Sequence, residues 1–212
     1  MQRILILGST EFSTEIAEVV ADTGQFEVAG FVENDVPARA GRSLEGLPVL
    51  WIDEAAELAA THLAICGLGT TRRSRFAEQA SALGFRFATV VHPTAHVAMS
   101  STLGEGTLVG AMAVVASHAR IGRHVLVNRA GLVGHHAVIG DYVSIQSGAN
   151  VAGVTTIGNA TYVGMGALVL NTVNVGSNAV IGAGAVATRD VPDNVQVVGV
   201  PATIVKEGIG GR

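Results

Sequence analysis

From Val97 to Ile181 every sixth residue is aliphatic: Val97, Leu103, Val109, Val115, Ile121, Val127, Val133, Ile139, Ile145, Val151, Ile157, Val163, Val169, Val175 and Ile181. No position fails and no insertion breaks the series. A slower beat lies on top of it, because each third aliphatic is followed by glycine: Gly104, Gly122, Gly140, Gly158 and Gly176. A helix repeats its apolar face near 3.6 residues and a flat strand near 2, so neither explains a repeat of six held this long. The pattern is that of a hexapeptide parallel β-helix. Each hexad supplies one short strand and one corner, three hexads close a triangular coil, and residue n stacks on n+18 at about 4.8 Å.

A second column agrees. Two residues before each aliphatic stand only small or slim side chains, among them Ala113, Ala119, Val125, Gly131, Ala137, Val143, Ala149, Thr155, Thr161, Ala167, Val173 and Ala179. Both columns are expected to point into the prism, where a bulky side chain would meet those of the other two walls. The abundant glycines are expected at corners that need positive φ. Sandwich strands would show uneven spacing and hairpin signals instead.

The chain has 212 residues, enough for one or two domains, and is half apolar with few aromatics and 27 glycines. A net charge of −4 offers no electrostatic footprint for nucleic acid or an anionic membrane. The single cysteine, Cys66, excludes an internal disulfide and suits a reducing cytoplasm. Met1 to Leu7 is too short for a signal peptide, and no apolar run is long enough to span a bilayer.

Before His92-Pro93 the period changes. Arg3–Leu7, Glu27–Val32, Leu47–Leu50, His62–Cys66 and Phe85–Val90 read as strands; Ser13–Ala21, Ile52–Ala60 and Thr71–Leu83 read as helices; Glu33–Gly46 is polar and glycine-rich. This alternation predicts a Rossmann-like α/β domain over residues 1–91, followed by the β-helix over 92–212. Ligands of such sheets lie at the carboxyl ends of the strands, which makes Gly8, Ser9, Thr10, Glu33 and Gly67 candidate substrate contacts. The dinucleotide fingerprint itself is missing. The first loop reads Gly8-Ser9-Thr10-Glu11-Phe12-Ser13, with one glycine of three and an acid where a pyrophosphate would sit.

Four histidines, His118, His124, His135 and His136, fall at or near β-helix corners, where solvent exposure is the ordinary expectation. Stacking arithmetic separates His135 from the rest. Its neighbours one coil away are Ser117 and Gly153, so a small side chain and a bare backbone leave an open slot beside the imidazole. The same arithmetic sets His136 between His118 and Val154. No metal site is expected from this pair.

The run Val127-Asn128-Arg129-Ala130-Gly131-Leu132-Val133-Gly134-His135, followed by Ile139-Gly140-Asp141, resembles the catalytic coil of bacterial hexapeptide-repeat sugar acetyltransferases, the sialic acid O-acetyltransferases and nucleotide-4-amino-sugar N-acetyltransferases. The likeness extends to the α/β domain, the His92-Pro93 junction, the unbroken repeat, and the ending Thr188-Arg189-Asp190-Val191-Pro192 with Gly199-Val200-Pro201-Ala202. It implies a left-handed β-helix that binds acetyl-CoA, an N-terminal domain that binds a nucleotide sugar, and a homotrimer. The implied reaction moves acetyl to a sugar amine or hydroxyl. His135 would be the general base, with Asn128 positioning substrate or base and His136 as a further candidate catalytic residue. The Gly153 N–H would face the thioester oxygen, and CoA would lie near Gly164, Met165, Ala183, Gly184 and the Val200-Pro201-Ala202 turn.

This chain departs from that pattern in three places. His136 stands where the family carries Glu or Asp, the first loop has Thr10, Glu11 and Phe12 in place of further glycines and a histidine, and Thr203 follows the final Pro-Ala. Two alternatives stay open: an acyltransferase with an amino-acid or free-sugar acceptor, and a non-catalytic trimeric scaffold that binds a ligand.

Overall fold

The computed structural model describes residues 1–212, which form two compact units: residues 1–69 with 73–93, and residues 94–212 with 70–72.

The first unit carries β1 (Gln2–Leu7), α1 (Glu11–Asp22), β2 (Phe26–Glu33), β3 (Ser43–Leu44), β4 (Leu47–Trp51), α2 (Ile52–Ala55), β5 (Leu63–Cys66), α3 (Arg73–Ala82) and β6 (Arg86–Phe87). The sheet runs β3-β4-β2-β1-β5-β6, parallel except for the β3–β4 hairpin. The last four residues of β1 are fully buried, as an apolar run in a strand covered on both faces requires. Helix α1 buries Ser13, Ile16 and Val20, residues three and four apart on one stripe.

Three sequence expectations shift here. The helix expected over Ile52–Ala60 is a single α turn followed by a 3₁₀ turn over Ala56–Leu58. The strand expected over Phe85–Val90 is two short pieces, Arg86–Phe87 and Val90–Val91. The polar stretch before Leu47 holds the β3 strand, which folds back on β4 through Glu45 and Gly46, both with positive φ.

The second unit is the triangular prism that the period demands. Its first wall stacks Leu108–Val109, Leu126–Val127, Ser144–Ile145, Tyr162–Val163 and Val180–Ile181. The second stacks His96–Val97, Val114–Val115, Leu132–Val133, Asn150–Val151, Leu168–Val169 and Val186–Ala187. The third stacks Thr102–Leu103, Arg120–Ile121, Val138–Ile139, Thr156–Ile157 and Asn174–Val175. Registers such as Val115↔Val133↔Val151↔Val169 keep the spacing of one coil throughout. From Val109 to Ile181 both inward columns are buried; Val97 and Leu103, in the first coil, are half-buried.

The corners correct one expectation. Gly104, Gly122, Gly140, Gly158 and Gly176 do not adopt positive φ. They stand where a side chain would strike the next coil: a Cβ on Gly104 would lie 2.4 Å from the Gly122 carbonyl oxygen, and one on Gly158 2.4 Å from the Ser177 nitrogen. The left-handed position falls two residues later and is held mostly by other residues, including Met112, His118, His124, Ala130, His136, Tyr142 and Val154. Each costs about 1–3 kcal/mol of backbone strain. The compensation is visible in the hydrogen bonds, because this conformation turns the N–H along the prism axis onto the preceding coil. His136 N donates to Ser117 O at 3.0 Å and Val154 N to His135 O at 2.9 Å.

Candidate active site

His135 sits at the corner between the second and third walls, with its backbone held from both sides by the two bonds just described. The side chain is exposed. Its imidazole turns the Nε2 edge toward Gly153 in the next coil: a Cβ built there would meet Nε2 at 2.6 Å and Cε1 at 2.8 Å. The slot expected from stacking is therefore present, and the ring fills it edge-on. The Gly153 carbonyl accepts from Thr172 N at 3.2 Å, while its N–H has no hydrogen-bond partner in the protein.

Three of the equivalent amides at the corner between the third and first walls are capped. Arg123 N donates to Asp141 Oδ1 at 2.8 Å, Asp141 N to Asn159 Oδ1 at 2.8 Å and Ser177 N to Asp193 Oδ1 at 2.6 Å. Burial alone would raise the Asp141 carboxyl, but the Arg123 amide and guanidinium outweigh it and hold it below the usual carboxylate range. An amide left bare beside an imidazole is a donor available to a developing oxyanion.

On the other side of His135, its Nδ1 lies 3.2 Å from Nδ1 of His136, the two rings nearly perpendicular. His118 packs against His136 with ring centroids 4.8 Å apart. His118 and His136 line a cleft of about 530 Å³ with Ser100, Thr102, Arg120 and Val138. His124, expected to face solvent, is instead 6% exposed and stacks on Tyr142 at 5.1 Å, because the aromatic ring one coil on covers it. No group of three or more His, Cys, Asp or Glu is arranged to hold a metal ion.

The remaining candidates of this unit lie at the opposite edge of the second wall. Asn128 is buried there; its Oδ1 accepts from Arg129 N at 2.7 Å and its Nδ2 donates to Gln146 at 3.3 Å, so it makes no hydrogen bond to His135. Gly164, Met165, Ala183 and Gly184 continue that edge, with Met165, Ala183 and Gly184 exposed. Gly164 is bare because a Cβ would come within 2.7 Å of the Ala183 nitrogen. The Val200-Pro201 turn, exposed, closes the end of the second wall: Val186 N donates to Gly199 O and Ala202 N to Val186 O. Within one chain, the base and the candidate CoA residues are thus separated by the width of a wall.

In the α/β unit the candidates do cluster, at the ends of β1, β2 and β5. Glu33 Oε2 accepts from the Ser9 hydroxyl at 2.5 Å, and Oε1 accepts the N–H groups of Asn34, Asp35 and Val36. Burial pushes this carboxyl up; the Ser9 hydroxyl and the loop amides outweigh it and keep it below the usual glutamate range. Arg39 adds a longer contact at 3.4 Å. Thr10 N donates to Ser13 Oγ, which donates to Gly67 O at 3.0 Å. The glycines serve internal packing: a Cβ on Gly8 would meet Ser13 Oγ at 2.7 Å and Leu68 at 2.8 Å, and one on Gly67 would meet Ile6 at 2.6 Å. Half-buried Leu68 lies over Gly8, where the strand order reverses between β1 and β5, a position sequence spacing did not single out.

A coil-stacked imidazole beside an unpaired amide, on a hexapeptide β-helix with an α/β domain ahead of it, is an arrangement suited to acyl transfer. Neither a family model nor a curated protein matches the chain. Solved structures do. The acetyltransferase domain of PglB from Neisseria gonorrhoeae FA1090, which has also been solved with acetyl coenzyme A, is 31% identical over 97% of this chain and 100% of its own, with a TM-score of 0.87. A histidine-to-asparagine variant of perosamine N-acetyltransferase from Caulobacter crescentus, in complex with CoA and GDP-perosamine, is 28% identical over 96% of this chain and 97% of its own, with a TM-score of 0.89. WeeI from Acinetobacter baumannii AYE is 27% identical over 97% of this chain and 100% of its own, with a TM-score of 0.88. The chain belongs to the bacterial hexapeptide-repeat sugar acetyltransferases, and it is an acyltransferase.

Proposed function

We propose that the protein transfers the acetyl group of acetyl-CoA to an amino or hydroxyl group of a nucleotide-linked or sialic-acid-type sugar, with His135 as general base. The observation that carries this reading is the placement of His135 Nε2 against Gly153, whose N–H has no partner. The acceptor's lone pair forms the bond to the thioester carbonyl carbon while its proton passes to His135 Nε2. The Gly153 N–H meets the oxygen that gains charge. Collapse breaks the C–S bond, and the leaving sulfur takes the proton back from His135 to give the CoA thiol. Proton transfer of this kind is worth about 10²- to 10⁴-fold, and an imidazole suits it because it exchanges protons near neutral pH.

The separation of the two edges supports a homotrimer. A neighbouring copy that sets its Asn128–Gly164–Gly184 edge against the His135 corner completes the site, and CoA then runs between subunits toward Val200 and Pro201. Exposed Leu168 and Leu170, at 39% and 41%, lie on this wall and at its corner, where such a neighbour covers them. We place the enzyme in the cytoplasm, a reading that the lone, buried thiol of Cys66 supports. No helix is long and apolar enough to cross a membrane.

The nucleotide of the acceptor would lie on the α/β unit at Gly8, Ser9, Thr10, Glu33 and Gly67. One observation favours the alternative of an acceptor without a nucleotide: Leu68 lies over Gly8 and Glu33 is already bonded to its own loop. Thioester release measured against nucleotide amino sugars, free sialic acids and amino acids separates the two. His135→Ala is expected to lower kcat by about 10²-fold or more with acetyl-CoA affinity by calorimetry nearly unchanged, since a base acts in the transition state. A loss below about threefold sinks the assignment.

A further inference from the structure

Two imidazole Nδ1 atoms 3.2 Å apart share one proton, so one ring donates and the other accepts. Which way the bond runs decides whether His135 can act. If His136 donates, the neutral His135 ring must keep its own proton on Nε2, the atom that faces the reaction. If His135 donates from Nδ1, its Nε2 is a bare lone pair. Action as a base requires the second arrangement: the Nε2 edge is the one turned to Gly153, and it carries a lone pair only when the ring's proton sits on Nδ1 and is donated to His136. The far side of His136 opens onto the cleft with Ser100, Thr102 and Arg120, none of them a carboxylate, where its own Nε2–H is free to meet water.

We infer that His136 is the positioning residue for His135: it accepts the Nδ1 proton, fixes the base in the Nδ1–H form, and receives a charge-assisted hydrogen bond when Nε2 takes up the acceptor's proton. The residue occupies the place of an acid without being one. A neutral imidazole accepts a hydrogen bond as a carboxylate does, and it holds a migrating proton if the Nδ1 hydrogen moves across. His118 steadies it. Stacked one coil away, with its backbone N–H donating to Ser100 Oγ at 3.1 Å, it limits the rotation of the His136 ring. The left-handed backbone at His136, φ +58°, is what swings this side chain round the corner toward His135.

The inference rests on His135 being the base, and its test is built so that the two fail separately. His136→Phe keeps a ring against His118 but offers no acceptor; His136→Asn offers an oxygen near the Nδ1 position, and asparagine tolerates positive φ. With acetyl-CoA and whichever acceptor the panel identifies, His136→Phe is expected to lower kcat by about tenfold or more with KM for acetyl-CoA little changed, and His136→Asn to recover most of that loss. Independently of turnover, nitrogen NMR of the ¹⁵N-histidine-labelled protein should show His135 protonated on Nδ1 in the wild type, with the proton moving to Nε2 in His136→Phe. The His135 signals are identified by their loss in His135→Ala. If His136→Phe turns over at the wild-type rate while His135→Ala does not, the inference is overturned and the base assignment stands; a His135 proton on Nε2 in the wild type overturns the inference and leaves the base assignment to the His135→Ala result. Full turnover by His135→Ala removes both.

Discussion

Gly153→Ala isolates the geometry of the site from the stability of the fold. A Cβ at this position would lie 2.6 Å from His135 Nε2, 2.8 Å from Cε1 and 3.0 Å from Cδ2, with no backbone atom among the nearest contacts. Ordinary carbon contact needs about 3.5 Å or more, so the ring must retreat by about 1 Å. It can do so cheaply, because it is the exposed end of a side chain with two free torsions. The backbone has no objection either: φ at Gly153 is not positive, and the same column carries Met99, Ser117, His135 and Asn171 in other coils. Replacing glycine by alanine also narrows the unfolded ensemble, worth about 0.4–1 kcal/mol. Stability by urea unfolding is therefore expected within about 1 kcal/mol of wild type. Catalysis is not so forgiving. A displacement of about 1 Å at a reacting group costs on the order of 10²-fold, and that is the expected fall in kcat by thioester release. A variant that keeps full kcat, in a protein where His135→Ala loses it, would show that the base does not work from this slot.

Other consequences are equally open to measurement. Light scattering should count three subunits; equal mixtures of His135→Ala and Ala183→Trp chains, each inactive alone, should recover about a quarter of wild-type activity on co-refolding, since each restored site needs one intact edge from each of two chains. A monomeric active enzyme, or mixtures that stay inactive, would refute the shared site. Glu33, held below its ordinary value by Ser9 and the loop amides, contributes stability that is present above the unfolded-state pKa and is lost as pH falls through the lower folded-state value. Glu33→Gln should cost about 1–3 kcal/mol near pH 7 and flatten the acid slope of urea stability between about pH 5 and 3; an unchanged slope would mean the carboxylate is not what orders this loop.

The prism was legible because its rule is one-dimensional. Once a coil takes three hexads, every pairing follows by counting, and so Val114↔Leu132 or Leu168↔Val186 needed no further information. The same counting set His135 beside Gly153 and His136 beside His118. Counting stops at the backbone, however, and does not say how a side chain is turned. That the Nε2 edge faces Gly153 while Nδ1 faces His136, that His124 lies under Tyr142, and that Gly104 to Gly176 are bare for want of room are outcomes of packing at the corners. The α/β unit was less legible for a related reason. Ser9 meets Glu33 across 24 residues, and Leu68 meets Gly8 across a longer interval. No repeat fixes those distances, since they depend on how strands of unequal length and a helix settle on one sheet. The two edges of the second wall were known as sequence positions from the start, but only the closed prism sets them a wall apart, because a three-sided coil turns adjacent corners away from each other.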